Sequence, residues 1–192
     1  STSERIPYAM KTKLSLTVMA TVLIICVSAV TGVMAEQSTD LIADGGDGVG
    51  IAIGTVLVSD DGTNLFVTFT ITVEDWYLNE THVAVADSLS GIPQTGKGNP
   101  KVGRFAYQTE HVPGVKTFKY VISLSDIETT DGILTIAVHA EVTNVDEIVY
   151  VDPDTGQIYY REETAWGSGA PFGGKNWAMY LEYTIPGWEV PG

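Results

Sequence analysis

The sequence predicts an all-β fold, an antiparallel β-sandwich of jelly-roll or Greek-key type, preceded by an N-terminal hydrophobic signal or anchor helix. Three observations carry this prediction. Several segments alternate with period two, most clearly Leu65, Val67, Phe69, Ile71 and Val73 against a threonine-bearing face of Thr68, Thr70 and Thr72. Turns rich in Gly, Pro and Asp punctuate these segments at short, regular spacing. Beyond the leader, no stretch shows the 3.6-residue apolar period of an amphipathic helix. Strands packing on strands are then the way to build a core.

The N-terminus reads as an export signal. Residues 1–9 look like non-native or leader residues upstream of Met10. Lys11 and Lys13 supply a basic start, and an uncharged apolar run follows from Leu14 to Val30. Val33-Met34-Ala35 then places small or aliphatic residues at −3 and −1 of a cleavage point after Ala35. Residues 10–35 are therefore a signal peptide. If retained, they form an anchor, because a bilayer needs roughly 20 apolar residues. The chain is expected to be secreted or cell-surface, and membrane-anchored if the leader stays. The single cysteine, Cys26, lies inside the apolar run. The bulky Ile25 before it is unlike a lipidation box. The mature chain would hold no disulfide and must rely on its core.

From Glu36 onward there are 7 Lys/Arg against 23 Asp/Glu. That balance excludes nucleic acid and anionic membrane as partners, since both need a cationic surface. It suits a cation such as calcium, or simple solubility.

Residues 36–48 read as an acidic, flexible lead-in with Asp40, Asp44 and Asp47 around glycines. The domain itself spans 49–186, and 187–192 form a tail. Small and β-branched residues from Val49 to Val58 lead to the turn Asp60-Asp61-Gly62-Thr63-Asn64, and the alternating 65–73 segment completes a hairpin. Trp76 to Ala86 brings a further strand, with Glu80 and His82 on one face and Val83 and Val85 on the other. The Asp87–Arg104 loop is long, and loops of that length tend to be functional or disordered. Phe105–Tyr107 is a short strand, Pro113-Gly114 a turn, and Phe118–Leu124 another strand. Leu134–Val142 alternates again, with His139 and Glu141 on its polar face. Glu147–Val151 and Gln157–Glu163 flank the acidic turn Asp152-Pro153-Asp154-Thr155-Gly156, and Trp177–Ile185 closes the fold. Between them Thr164–Asn176 is a glycine-rich loop that leaves Trp166 exposed.

Three groups of candidate site residues emerge. Glu80-x-His82 and His139-x-Glu141 each put a carboxylate and an imidazole on one strand face. Were those strands neighbours, the four side chains would converge as a zinc-like centre or an acid–base pair; otherwise they are a solvated sheet surface. Asp60, Asp61, Asp152 and Asp154 are candidate calcium ligands, against the alternative that each simply closes its own turn. The Asp152 loop fails the EF-hand pattern, because its sixth position is Gln157. Trp166 and Tyr77 are candidate sugar-stacking residues, against tryptophan's more common place in a core. No nucleophile elbow, P-loop, dinucleotide fingerprint or HExxH motif is present, so no catalytic residue is assigned.

The motifs W-Y-L-N-E-T-H, G-I-P-Q-T-G-K-G-N-P-K-V-G-R-F-A-Y and E-T-A-W-G-S-G with N-W-A-M-Y resemble a group of exported β-sandwich proteins of archaea and bacteria. The likeness runs from about Val56 to Tyr183. It implies an exported module and no particular activity. The function expected is a non-catalytic cell-surface or extracellular module with a structural or adhesive role, assisted by calcium. The alternatives are a carbohydrate-binding module and, behind it, a metal-dependent hydrolase on Glu80, His82, His139 and Glu141. Self-association or cell-surface glycans are the partners such a module would meet.

Overall fold

The computed structural model describes residues 35–43 and 49–189. Apart from Ala35, the leader lies outside these residues, as do Asp44, Asp47 and the last three residues of the tail. Among the described residues no helix is long and apolar enough to cross a membrane.

Ten strands follow in order: β1 Glu36–Ala43, β2 Ile51–Asp60, β3 Asn64–Ile71, β4 Trp76–Ala86, β5 Tyr107–Val115, β6 Thr117–Ser123, β7 Ile133–Val151, β8 Ile158–Gly167, β9 Ala170–Pro171 and β10 Met179–Thr184. The all-β, antiparallel expectation holds. The strands form one sheet, ordered β5-β4-β7-β8-β1-β2-β3-β6 and nearly closed into a barrel, with β10 pairing to the start of β7 and to β9.

Closing the sheet hides one face of its central strands. Val56, Val58, Leu65, Val67, Phe69, Leu134, Ile136 and Val138 all point into this interior, the last six of them on the faces that the period-two pattern had given their strands. Emptying any one of the large positions costs about 2–5 kcal/mol in lost transfer energy and cavity formation.

Four elements depart from the sequence reading. Glu36–Ala43 is a strand and not a flexible lead-in. β1 hydrogen-bonds along β2 over its whole length and reaches β8 at Leu41–Ala43, burying Leu41 and Ala43. The predicted turn at Pro113-Gly114 lies inside β5. Leu78 pairs with Val115 and Glu80 with Glu110, so several β5 residues bulge out opposite the one residue Asn79. Proline is tolerated there because β5 is an edge strand. Third, β7 runs through the predicted break after Val142 as 19 residues. Fourth, β8 extends to Gly167 and takes Trp166 into a strand.

The two ends of the sheet meet at β5 and β6. Lys116 between them ties the corner: its carbonyl accepts the Ile71 N–H at 2.7 Å, and its ammonium reaches the carbonyls of Val73, Glu74 and Trp76. The same ammonium lies 4.1 Å over the Tyr77 ring.

Candidate functional site

The strand order decides the fate of the two Glu/His pairs. β4 and β7 are neighbours, in a register that sets His82 opposite His139 and Glu80 opposite Glu141. Both pairs face outward, away from the barrel interior, on the same face as Ala84 and Ala137. The two imidazole centres are 5.3 Å apart with planes tilted by 57°.

Although they point away from the barrel, both histidines are buried, at 4% and 5% exposure. A second, smaller core covers this part of the outer face: Ala84, Ile92, Phe105, Ala137, Trp166, Phe172 and Ala178. Its residues come from the sheet and from two connections, 87–106 and 168–178; these take in most of the expected Asp87–Arg104 and Thr164–Asn176 loops, together with Phe105 and Ala178, which the sequence placed in strands. The two connections are fastened to each other. The Asn99 carboxamide oxygen accepts the N–H of Lys175 at 2.8 Å and of Asn176 at 3.3 Å. Gly174 suits this junction, since a Cβ there would stand 2.9 Å from the backbone carbonyl carbon of Gly98 as well as against that same oxygen.

Trp166 is the centrepiece of this cover. It is 4% exposed, packs edge-on against His139 with ring centres 4.8 Å apart, and touches Phe105 and Phe172. The expectation that Trp166 offers a stacking face to sugars is therefore corrected. Inserting it between two loops buries a large apolar surface that solvent exposure would waste. Tyr77 is half-buried beneath Lys116, so the two aromatics make no shared platform.

Electrostatically the histidine pair is under tension. Burial pushes His139 down to about 3, with nearby His82 adding to the effect. Burial also lowers His82, against the opposing pull of Glu80 and Glu141. Both rings are thus neutral near pH 7. Their hydrogen bonding is incomplete: His82 Nδ1 and Nε2 and His139 Nδ1 are buried without a hydrogen-bond partner. Glu80 Oε1 sits 3.2 Å from His82 Nε2, but off the direction a hydrogen bond needs.

Beside the pair opens a cavity of about 360 Å³ lined by Asn79, Glu141, Glu162, Glu163 and Thr164. Glu162 and Glu163 come from β8, which pairs with β7 so that Thr164 stands opposite Glu141 and Trp166 opposite His139. Sequence reasoning missed these two acids. For Glu162 the signal was the alternation Glu162-x-Thr164-x-Trp166, the same face continued on a third strand; Glu163 stands at the other parity, opposite Val142. Arg161 neutralises part of this charge, donating to Glu163 at 2.8 Å and to Glu147 at 3.1 Å.

The acidic turns are used locally. Asp61 Oδ1 accepts the N–H groups of Thr63 and Asn64, and these bonds lower its pKa. Asp152 Oδ1 does the same for Asp154 and Thr155. Asp60 turns inward, accepting from Gly62 N–H at 2.9 Å and from the Tyr183 hydroxyl at 2.5 Å. Asp154 is exposed at the tip of the β7–β8 turn. Among the described residues no three His, Cys, Asp or Glu side chains already converge on one metal position.

A third histidine, His111 of β5, went unremarked in the sequence. It faces the interior, where Thr81 Oγ1 lies 3.0 Å from its Nε2 and 2.9 Å from the Tyr120 hydroxyl, which donates to the Thr81 carbonyl at 2.8 Å. One proton assignment satisfies every contact: His111 Nε2–H donates to Thr81 Oγ1, and the threonine hydroxyl donates to Tyr120. This triad bridges β4, β5 and β6 across the barrel seam.

No family model matches the chain, and no curated protein or solved structure matches it.

Proposed function

We propose that this chain is a non-catalytic, exported module of the cell surface or extracellular space that works by structural or adhesive contact. The observation that carries the reading is the far end of the β7–β8 hairpin. β4 stops pairing with β7 at Asn144, and β1 meets β8 only at Ala165–Gly167. Between these limits the hairpin is a two-stranded ribbon, paired as Ile148 with Tyr160, Tyr150 with Tyr159 and Val151 with Ile158. Val149 is 62% exposed and Tyr150 53%, and Ile148, Val151, Ile158 and Tyr159 are exposed beside them.

A free two-stranded ribbon is marginal in water, and exposed apolar strands with open edges invite pairing with another chain. A ribbon of this composition is suited to docking or to adding strands to a partner. The strongly acidic balance argues for a protein or glycan surface over nucleic acid. Calcium enters the proposal as an assisting ion at the ribbon's tip, where Asp152 and Asp154 sit. Export rests on the leader in residues 10–35 and on the motif resemblance to exported archaeal and bacterial proteins. A jelly-roll or Greek-key sandwich is the finer fold assignment that goes with this reading.

The test is the particle size of the purified chain by light scattering, with and without calcium, beside the variant Val149→Asp/Tyr150→Asp. The reading expects concentration-dependent association that the double variant abolishes while melting changes little. Association that is equal in both proteins, or absent from the parent chain at all concentrations, contradicts it.

A further inference from the structure

We propose that His82, His139 and Glu80, with Glu141 beside them, form a binding site for a late first-row divalent metal ion, Zn²⁺ fitting best. The inference rests on the outer face of β4 and β7 and is independent of the ribbon.

Two distances carry it. Around a tetrahedral zinc ion with bonds of about 2.0–2.1 Å, neighbouring donor atoms lie roughly 3.3 Å apart, and two ligating imidazoles have centres roughly 5 Å apart. Glu80 Oε1 and His82 Nε2 are 3.2 Å apart, and the His82 and His139 rings are 5.3 Å apart. Neither spacing belongs to a bond that the side chains make with each other. The carboxylate lies off the hydrogen-bonding direction, and three imidazole nitrogens are buried without a partner. Buried polar atoms in native folds are paired in the great majority, because leaving one bare costs about 1–3 kcal/mol. An ion held between these donors would use the lone pairs that nothing else uses.

The surroundings fit the same ion. The cross-strand register sets the two histidines side by side, and Trp166 packs on His139 and shields it from water. The acidic cavity lined by Glu141, Glu162 and Glu163 lies on the Glu141 side of the pair and favours cations there. Among the described residues no three such side chains already share a metal position, so side chains must rotate to complete the ligand set, and Glu80 and Glu141 are long side chains at the solvent margin. Imidazole nitrogen discriminates against calcium, which takes six to eight oxygens, and favours zinc or its neighbours.

The experiment uses the full chain in a Cys26→Ser background, so that no thiol competes, stripped with a chelator and titrated calorimetrically with Zn²⁺ alone. One ion per chain and a raised melting temperature are expected, with Ca²⁺ giving no competing heat. Glu80→Gln lowers the affinity about tenfold and His82→Gln about a hundredfold. Co²⁺ replacing Zn²⁺ gives the strong visible absorption of a tetrahedral site. Glu80 lies at the surface, so its variant decides the question even if His82→Gln fails to fold. Zn²⁺ binding of undiminished affinity in Glu80→Gln and in every folded His82 variant, or no Zn²⁺ binding by the parent chain, overturns the proposal.

Discussion

The two faces of β4 treat histidine in opposite ways. On the inner side, Thr81 joins His111 and Tyr120 in a closed hydrogen-bond circuit that spans the seam of the barrel. One residue further along, His82 turns outward to His139, and three of their four nitrogens have no partner. Burial is nearly the same for all three rings, at 4–8% exposure. What separates them at this exposure is satisfaction. A buried histidine that leaves no buried nitrogen without a partner, as His111 does, is cement. A buried pair left bare is the exception in native folds, and that contrast singles out the outer face.

Several changes break or sharpen this contrast. The largest effect belongs to Trp166→Ala, which empties the cover over His139. It should cost about 3–5 kcal/mol in denaturant unfolding and expose the pair to solvent. Next comes Thr81→Val, which removes the hub of the inner circuit while keeping its shape. Leaving His111 short of a partner should cost about 1–3 kcal/mol, read from the denaturation midpoint.

Acid is the third lever. His139 binds its proton near 3 in the fold and near 6.5 when unfolded, so the unfolded chain takes up protons first as pH falls. The stability it supports is fully present above about pH 6.5 and fades between there and about 3. Between pH 6.5 and 5 the loss from His139 alone should be about 2 kcal/mol in chelator-treated protein. Glu80 and Glu141 beside the pair soften that slope, and His139→Leu should flatten it. The smallest effect is that same His139→Leu at pH 7.5 without metal. Replacing a bare imidazole by an apolar side chain of similar size should change stability by about 1 kcal/mol or less in either direction. A loss of more than about 3 kcal/mol would mean that the ring is cement after all.

The sequence made parts of this legible and hid others for physical reasons. Strands such as Leu65–Ile71 and Leu134–Val142 were plain, because half-buried strands write a period of two into the chain. β1 was not, since Glu36, Gln37, Ser38 and Asp40 lie at positions where only the backbone is used. Its strand character comes from the neighbours that hydrogen-bond to it, a tertiary effect that local propensity cannot register. The Glu80/His82 and His139/Glu141 pairs were visible as residues, but their meeting depended on β4 and β7 being adjacent, with β5 and β6 lying between them in the chain. Trp166 misled because glycines around it suggested a loop. Gly167 is in fact the last residue of β8, packed against Val138, and the following loop folds back over the tryptophan.

One measurement sets the two kinds of histidine side by side: nitrogen NMR of the imidazole side chains in the metal-stripped chain, before and after one equivalent of Zn²⁺. The prediction is that His82 and His139 signals move to the shifts of metal-bound nitrogen, while His111 keeps its Nε2–H form throughout. Unmoved His82 and His139 signals, or a His111 that responds as they do, would contradict the distinction between a satisfied histidine and a site.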